Sequence, residues 1–185
     1  MAGTTARCSV PVVSVPEGWR PGRREAVVTV GVQDVDEAES LIRRGLVEAQ
    51  KRDAQVVVLH AWYVEGGYDS LVADREYQAE QKERAARELA PAMAAAQAEM
   101  PDVPLRLWVR HALPPGALID CGSSSELLVI GRRHHLLPLG SHLGPVARAV
   151  LQHSTGPVLL NPEDPRAVPV AADDADALSK VVQPA

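Results

Sequence analysis

Short runs rich in valine and leucine alternate with helical stretches between residues 25 and 162, and this alternation limits the fold more than any other feature of the chain. Residues 26–32, 56–63, 127–130 and 157–161 are mainly apolar runs, the pattern of strands buried on both sides, and residues 105–110 read as a further strand. The stretch after the first run places Ala38, Leu41, Ile42, Gly45, Leu46 and Ala49 on one helical face, with Asp34 or Asp36 as the cap. Gly66 and Gly67 break the chain after the second run. Residues 70–99 read as a long helix rich in Ala, Glu, Gln and Arg, which Pro91 is expected to kink or interrupt. Pro114 and Pro115 suit the first turn of a third helix, and Ser123, Ser124 and Ser125 read as its ending turn. Residues 132–142 read as a loop, and Val146, Ala149, Val150 and His153 mark a last helix. Repeated strand–helix–strand units with right-handed crossovers predict an α/β fold: a doubly wound, five-stranded parallel sheet with helices on both faces. In such sheets ligands sit beyond the carboxyl ends of the strands, where strand order reverses, so the loops after Val32 and Ile130 are the candidate site.

A chain of 185 residues suits one domain with tails, here 1–24 and 163–185, around a domain at 25–162. The last tail mixes Pro, Ala and acids without period and reads as disordered. Phenylalanine is absent, so Val, Leu and Ala must fill the core. The net charge of −5 and the lack of a basic stripe argue against nucleic acid as a partner; residues 20–24 read as a solvated linker. No apolar run reaches the roughly 18 residues of a membrane span, and the start lacks a signal-peptide pattern, so the expected compartment is the cytoplasm. Cys8 and Cys121 stand apart and fit free thiols in a reducing environment. His134, His135 and His142 share the 132–142 loop, but neither helical nor finger spacing accompanies them, so no metal site is expected. His60 reads as a packed histidine. No nucleophile, base and orienting group form a catalytic set, so no catalytic residue is assigned.

The richest stretch is residues 127–160, LLVIGRRHHLLPLGSHLGPVARAVLQHSTGPVLL. A glycine at a strand end lets backbone approach a phosphate, and a helix N-terminus beyond it adds partial positive charge. This stretch resembles the last third of universal stress protein domains. The opening VVTVGVQDVDEAESLIRRGLVEAQKRDAQVVVLHAW is similar to the same family's first strand, helix and second strand. The likeness covers residues 25–161, and GRR, GPVARAVL and VLHAW look most like actinobacterial members, many of them tandem. The family writes its loop as G, two residues, G, nine residues, G, then Ser or Thr. Here those positions are Gly131, His134, Gly144 and Pro145.

The resemblance implies a Rossmann-like fold of the adenine nucleotide alpha hydrolase type. It also implies a site for ATP or another adenine nucleotide with Mg2+. The implied site comprises Gln33, Asp34, Ala61 (through its backbone), Ile130, Gly131, Arg133, His134, Gly144, Pro145 and the N–H of Val146. Three departures degrade it. His134 puts a side chain where the second glycine stands, Pro145 lacks both hydroxyl and N–H, and Gln33 replaces an aspartate near the ribose or metal. Arg132, Arg133 and Arg148 supply compensating charge. The reading is a binding and regulatory module of stress response with a degenerate nucleotide site. The alternative is a dimerisation scaffold for a protein partner without nucleotide. A slow ATPase is the enzymatic rival, with Asp34 its sole nearby metal ligand or base.

One pattern lies outside the domain. VPVVSVPEGW at 10–19 and GPVLLNPEDP at 156–165 both run Pro-Val, three residues, Pro-Glu. The second is the terminal strand, so residues 9–15 resemble the terminal strand of a further domain, as in a remnant or C-terminal half of a tandem member. An isolated strand needs a partner, either this domain's sheet edge or a second chain. The expectation is a homodimer to which residues 9–15 contribute.

Overall fold

A computed structural model of the chain describes residues 10–20, 25–64, 75–132 and 143–162. Its elements are β1 (Val12–Ser14), β2 (Glu25–Gly31), α1 (Val35–Gln50), β3 (Gln55–Trp62), α2 (Arg75–Glu99), β4 (Leu105–His111), α3 (Pro114–Ser124), β5 (Ser125–Gly131), α4 (Pro145–His153) and β6 (Val158–Asn161). They build one sheet in the order β1-β6-β5-β2-β3-β4. The five strands from β2 to β6 pair in parallel, as expected. The strand count is corrected to six, because β1 adds antiparallel to β6. A bare β6 edge would leave a row of backbone groups unpaired, and the nearby tail segment pairs with them.

Alternate residues of each strand face opposite layers. Val28, Val30, Val56, Val58, Leu127, Val129 and Leu159 pack under α1 and α2, against Leu41, Ile42, Leu46 and Leu89. Leu59, Ala61, Leu128, Ile130, Val158 and Leu160 pack under α3 and α4, against Leu118 and Val150. All six residues expected on the inner face of α1 are buried. Asp34 holds the N-cap position of that helix with extended backbone, but its side chain makes no capping hydrogen bond.

Pro91 does not interrupt α2, which runs unbroken from Arg75 to Glu99. A helix-interior proline costs about 3 kcal/mol. Pro91 is exposed, and Ala85, Leu89, Ala92 and Ala96 bury one apolar stripe on both sides of it, which offsets that cost. Ser123 and Ser124 end α3 as expected, whereas Ser125 already belongs to β5. Their hydroxyls donate to the carbonyls of Asp120, Cys121 and Cys121 respectively. Since Ser125 Oγ gives its proton to Cys121, the buried 2.6 Å contact with Thr29 Oγ1 is a bond donated by Thr29. It ties β2 to the junction of α3 and β5. Gly66, Gly67 and the tail 163–185 lie outside the described residues.

Gly45 brings α1 against β2, because a Cβ there would collide with Val30. Gly45→Val is expected to destabilise the fold by about 1–3 kcal/mol through overpacking. The check is a lower urea midpoint at an unchanged m-value.

Candidate functional site

β3 and β4 lie on one side of β2, and β5 and β6 on the other, so strand order reverses at the β2–β5 pair. Beyond the carboxyl ends of that pair opens a cavity of about 500 Å³. Its floor is Gly31 at the end of β2, Val32 just after it, and Ile130 and Gly131 from β5. Parallel pairing sets Gly31 beside Ile130. The walls are Glu37 and Leu41 of α1, Ala61 to Tyr63 at the end of β3, Leu113, Pro114 and Leu118 around the start of α3, and Gly144 to Ala147 at the start of α4.

Both floor glycines sit where a side chain would intrude. A Cβ on Gly31 would come within 2.5 Å of Leu118 Cδ2. One on Gly131 would lie 2.8 Å from Glu37 Oε2 and 3.4 Å from Leu41 Cδ1. Gly144 is the N-cap of α4 in extended backbone, and Pro145 fills the first helical position. Pro145 suits a helix start, yet it withholds an N–H from the cavity. Arg148 N–H is already bonded to Gly144 O at 3.0 Å, so Val146 and Ala147 carry the N–H groups ahead of it. His60 is a packed, half-buried histidine, as read from the sequence. Its Nδ1 lies 3.1 Å from Val32 O, and since a carbonyl only accepts, Nδ1 carries the proton. This bond and that from Val32 N–H to Leu59 O pin the β2 end to β3.

Of the residues singled out in the sequence, Gln33, Ala61, Ile130, Gly131, Gly144, Pro145 and Val146 line the cavity. Asp34 stands beside it at the α1 cap and is not part of the wall. Arg133 and His134 lie outside the described residues, as do His135 and His142. Neither Arg132 nor Arg148 lines the cavity. Arg132 is buried, its N–H bonded to Asn161 O at 3.0 Å, and Arg148 is exposed. Among the described residues, no group of three His, Cys, Asp or Glu side chains could hold a metal ion.

Sequence reasoning missed Glu37 and an aromatic wall. Trp62 stacks on His111 with ring centroids 4.2 Å apart and planes at 22°. Tyr77 meets Trp62 edge-on at 5.7 Å, and Tyr63 lies 6.4 Å from His111. The available signal was two adjacent aromatics, in a chain with only three Trp and three Tyr, at the end of a strand beside the switch point. The cavity therefore has an apolar, partly aromatic side suited to a flat ring. Its opposite end, at Gly131 and α4, carries one carboxylate and a reduced set of N–H donors.

Residues 26–162 match the model of the universal stress protein family. Universal stress protein Rv1996 of Mycobacterium tuberculosis and universal stress protein Mb2019 of Mycobacterium bovis are each 32% identical over 168 residues, covering 86% of this chain and 51% of theirs. The chain thus spans about half the length of the curated relatives it matches. The solved structure of the universal stress protein from Archaeoglobus fulgidus in complex with dAMP is 27% identical. It covers 74% of this chain and 96% of that one, with a TM-score of 0.51.

The contact between Gly31 and Leu118 supplies a test of the floor. Gly31→Val is expected to cost about 1–3 kcal/mol of stability. Adding Leu118→Ala is expected to recover part of it, a coupling of roughly 0.5 kcal/mol or more in a double-mutant cycle read by thermal or urea unfolding.

Proposed function

Because the chain belongs to the universal stress protein family, we propose that it acts by binding an adenine nucleotide at the β2–β5 switch point, as a cytoplasmic regulatory module rather than an enzyme. The observation that carries this reading is the cavity itself, floored by Gly31 and Gly131 and closed at one end by Gly144 and the start of α4. The dAMP complex of the Archaeoglobus fulgidus relative supports the ligand class.

In this reading the Ala61 backbone meets the adenine edge, and Ile130 and Trp62 flank the ring. Gln33 or Asp34 reaches the ribose. Gly131, Gly144 and the Val146 N–H face the phosphates, with Arg133 adding charge. The phosphate end is the weak one. Pro145 withholds a donor, and His134 replaces a glycine. The ring end is apolar and intact. Base and ribose thus supply most of the affinity, and each added phosphate contributes little.

A second reading, a dimerising scaffold without nucleotide, is favoured by one observation: Val10, Val13 and Val15 are about half exposed beside the sheet edge. Slow ATP hydrolysis with Mg2+ would need a metal ligand or base, for which Asp34 at the α1 cap is the sequence candidate and Glu37 is the carboxylate in the cavity wall.

The test is isothermal titration of ATP with Mg2+, beside AMP, into the full chain, with assay of any nucleotide released on denaturation. Dissociation constants on the order of 10–100 μM are expected, equivalent to about −7 to −5.5 kcal/mol. AMP and ATP should differ by less than about tenfold, and Gly131→Val should abolish both. No binding up to about 1 mM by a folded protein would overturn the reading in favour of the scaffold. Magnesium-dependent turnover lost in Asp34→Ala would overturn it in favour of the ATPase.

A further inference from the structure

Arg106, Trp108 and Arg110 alternate along β4, so all three point to one face of the sheet. They pair with Val57, Leu59 and Ala61 of β3, and Leu59 and Ala61 belong to the layer under α3 and α4. Helix α3 reaches Arg110. The Nη1 of Arg110 lies 3.6 Å from Cys121 Sγ, and its Nη2 lies 3.7 Å from Asp120 Oδ2. The same guanidinium stands 5.2 Å over the Trp108 ring. Further along the strand the cover ends. Trp108 is half exposed, Arg106 is exposed, and Arg106 makes no ion pair among the described residues. The outer part of this face is therefore an open strip, a flat indole between two guanidinium groups. It suits a short segment that carries carboxylates among small apolar side chains. Carboxylates accept from the guanidinium forks, and the apolar groups cover the ring.

We propose that this strip is the docking site of the chain's own acidic segment, residues 173–178. That segment reads DDADAL. Asp173, Asp174 and Asp176 are the only charges between Arg166 and Lys180, and Ala175, Ala177 and Leu178 stand among them. Charge and shape thus match the strip. The sheet register shows that the segment is within reach. Leu160 pairs with Ile130, Ile130 with Gly31, Gly31 with Leu59 and Leu59 with Trp108, so the end of β6 and the indole stand at one height on the sheet. Four strand spacings separate them, about 19 Å. Residues 163–173, which lead from Pro162 to Asp173, span up to about 36 Å when extended, enough to pass around the helices between. Neither Arg106, Trp108 nor Arg110 lines the cavity, so the inference is independent of whether the cavity takes a nucleotide.

The test places a nitroxide on the full-length chain at Ser179→Cys, with Cys8→Ser, which leaves the buried Cys121 as the sole other thiol. The readout is the Trp108 indole N–H signal in a nitrogen-15 spectrum, assigned by Trp108→Phe. At low salt that signal is expected to lose most of its intensity relative to the sample with reduced nitroxide. Asp173→Asn/Asp174→Asn/Asp176→Asn, Arg106→Glu, and about 1 M salt should each restore it. Arg106 is exposed and the aspartates lie beyond the last strand, so these variants leave the core intact. An undiminished Trp108 signal at low salt would overturn the proposal. So would a loss that persists unchanged in the triple Asn variant and in Arg106→Glu. A loss of equal size when the nitroxide and the nitrogen-15 label sit on different chains would assign the contact to a second copy and overturn it as well.

Discussion

The pairing of β2 with β5 is the contact on which both the core and the cavity depend. These strands are separated by five other regular elements, α1, β3, α2, β4 and α3, and they meet only because the α3 crossover returns to the far side of β2. Their register sets Val28 against Leu127, Val30 against Val129 and Gly31 against Ile130. The first two pairs lie under α1, where they form the centre of one apolar layer. The last pair is the floor of the cavity. A one-residue slip would reverse every side chain of β5, burying one layer's residues in the other. The Thr29 to Ser125 hydrogen bond works against such a slip, since a buried hydroxyl without its partner costs about 1–3 kcal/mol. Stability of the sheet and position of the site are thus set by the same few residues.

The cavity shows two tendencies that the family resemblance alone would not separate. Its ring side is built from packing, which survives many substitutions as long as the shape stays apolar. Its anion side is built from individual donors, which do not. Pro145 has no N–H to donate at the cavity, while it suits the helix start that it forms. The buried Arg132 sits at the β5 end beside Asn161 rather than in the cavity wall, so its charge is directed elsewhere.

Much of this was legible in the chain itself, for identifiable reasons. The inner parallel strands showed because both their faces are buried, which forces mainly apolar runs such as VVVLHA in β3. The inner face of α1 showed because its period matches a helix. Pro91 misled because local propensity was weighed without the apolar stripe that carries α2 past it. The aromatic wall was hidden because Trp62 continues a strand whose preceding residues are core, and sequence does not reveal that the strand's end opens onto a cavity. Glu37 was hidden for a related reason: a carboxylate in the first turn of a helix ordinarily complements the helix dipole. Only its closeness to Gly131 gives it a second consequence.

The two edges of the sheet are protected by different means, and the difference bears on why β1 exists. β4, the edge on one side, exposes Arg106 and Trp108, and the Arg110 guanidinium lies 5.2 Å over the Trp108 ring. Arg110 also reaches Asp120 at 3.7 Å. Charged side chains on an edge strand disfavour the addition of another strand, because its approach would desolvate them. β6 has no such device. Its sequence VLLN offers no charge, and its first three side chains are needed by the two core layers. Substituting a charge there would protect the edge only by damaging the core. The remaining physical solution is to cover the edge with backbone, and a strand that copies β6 in sequence already has the length and proline boundaries to fit.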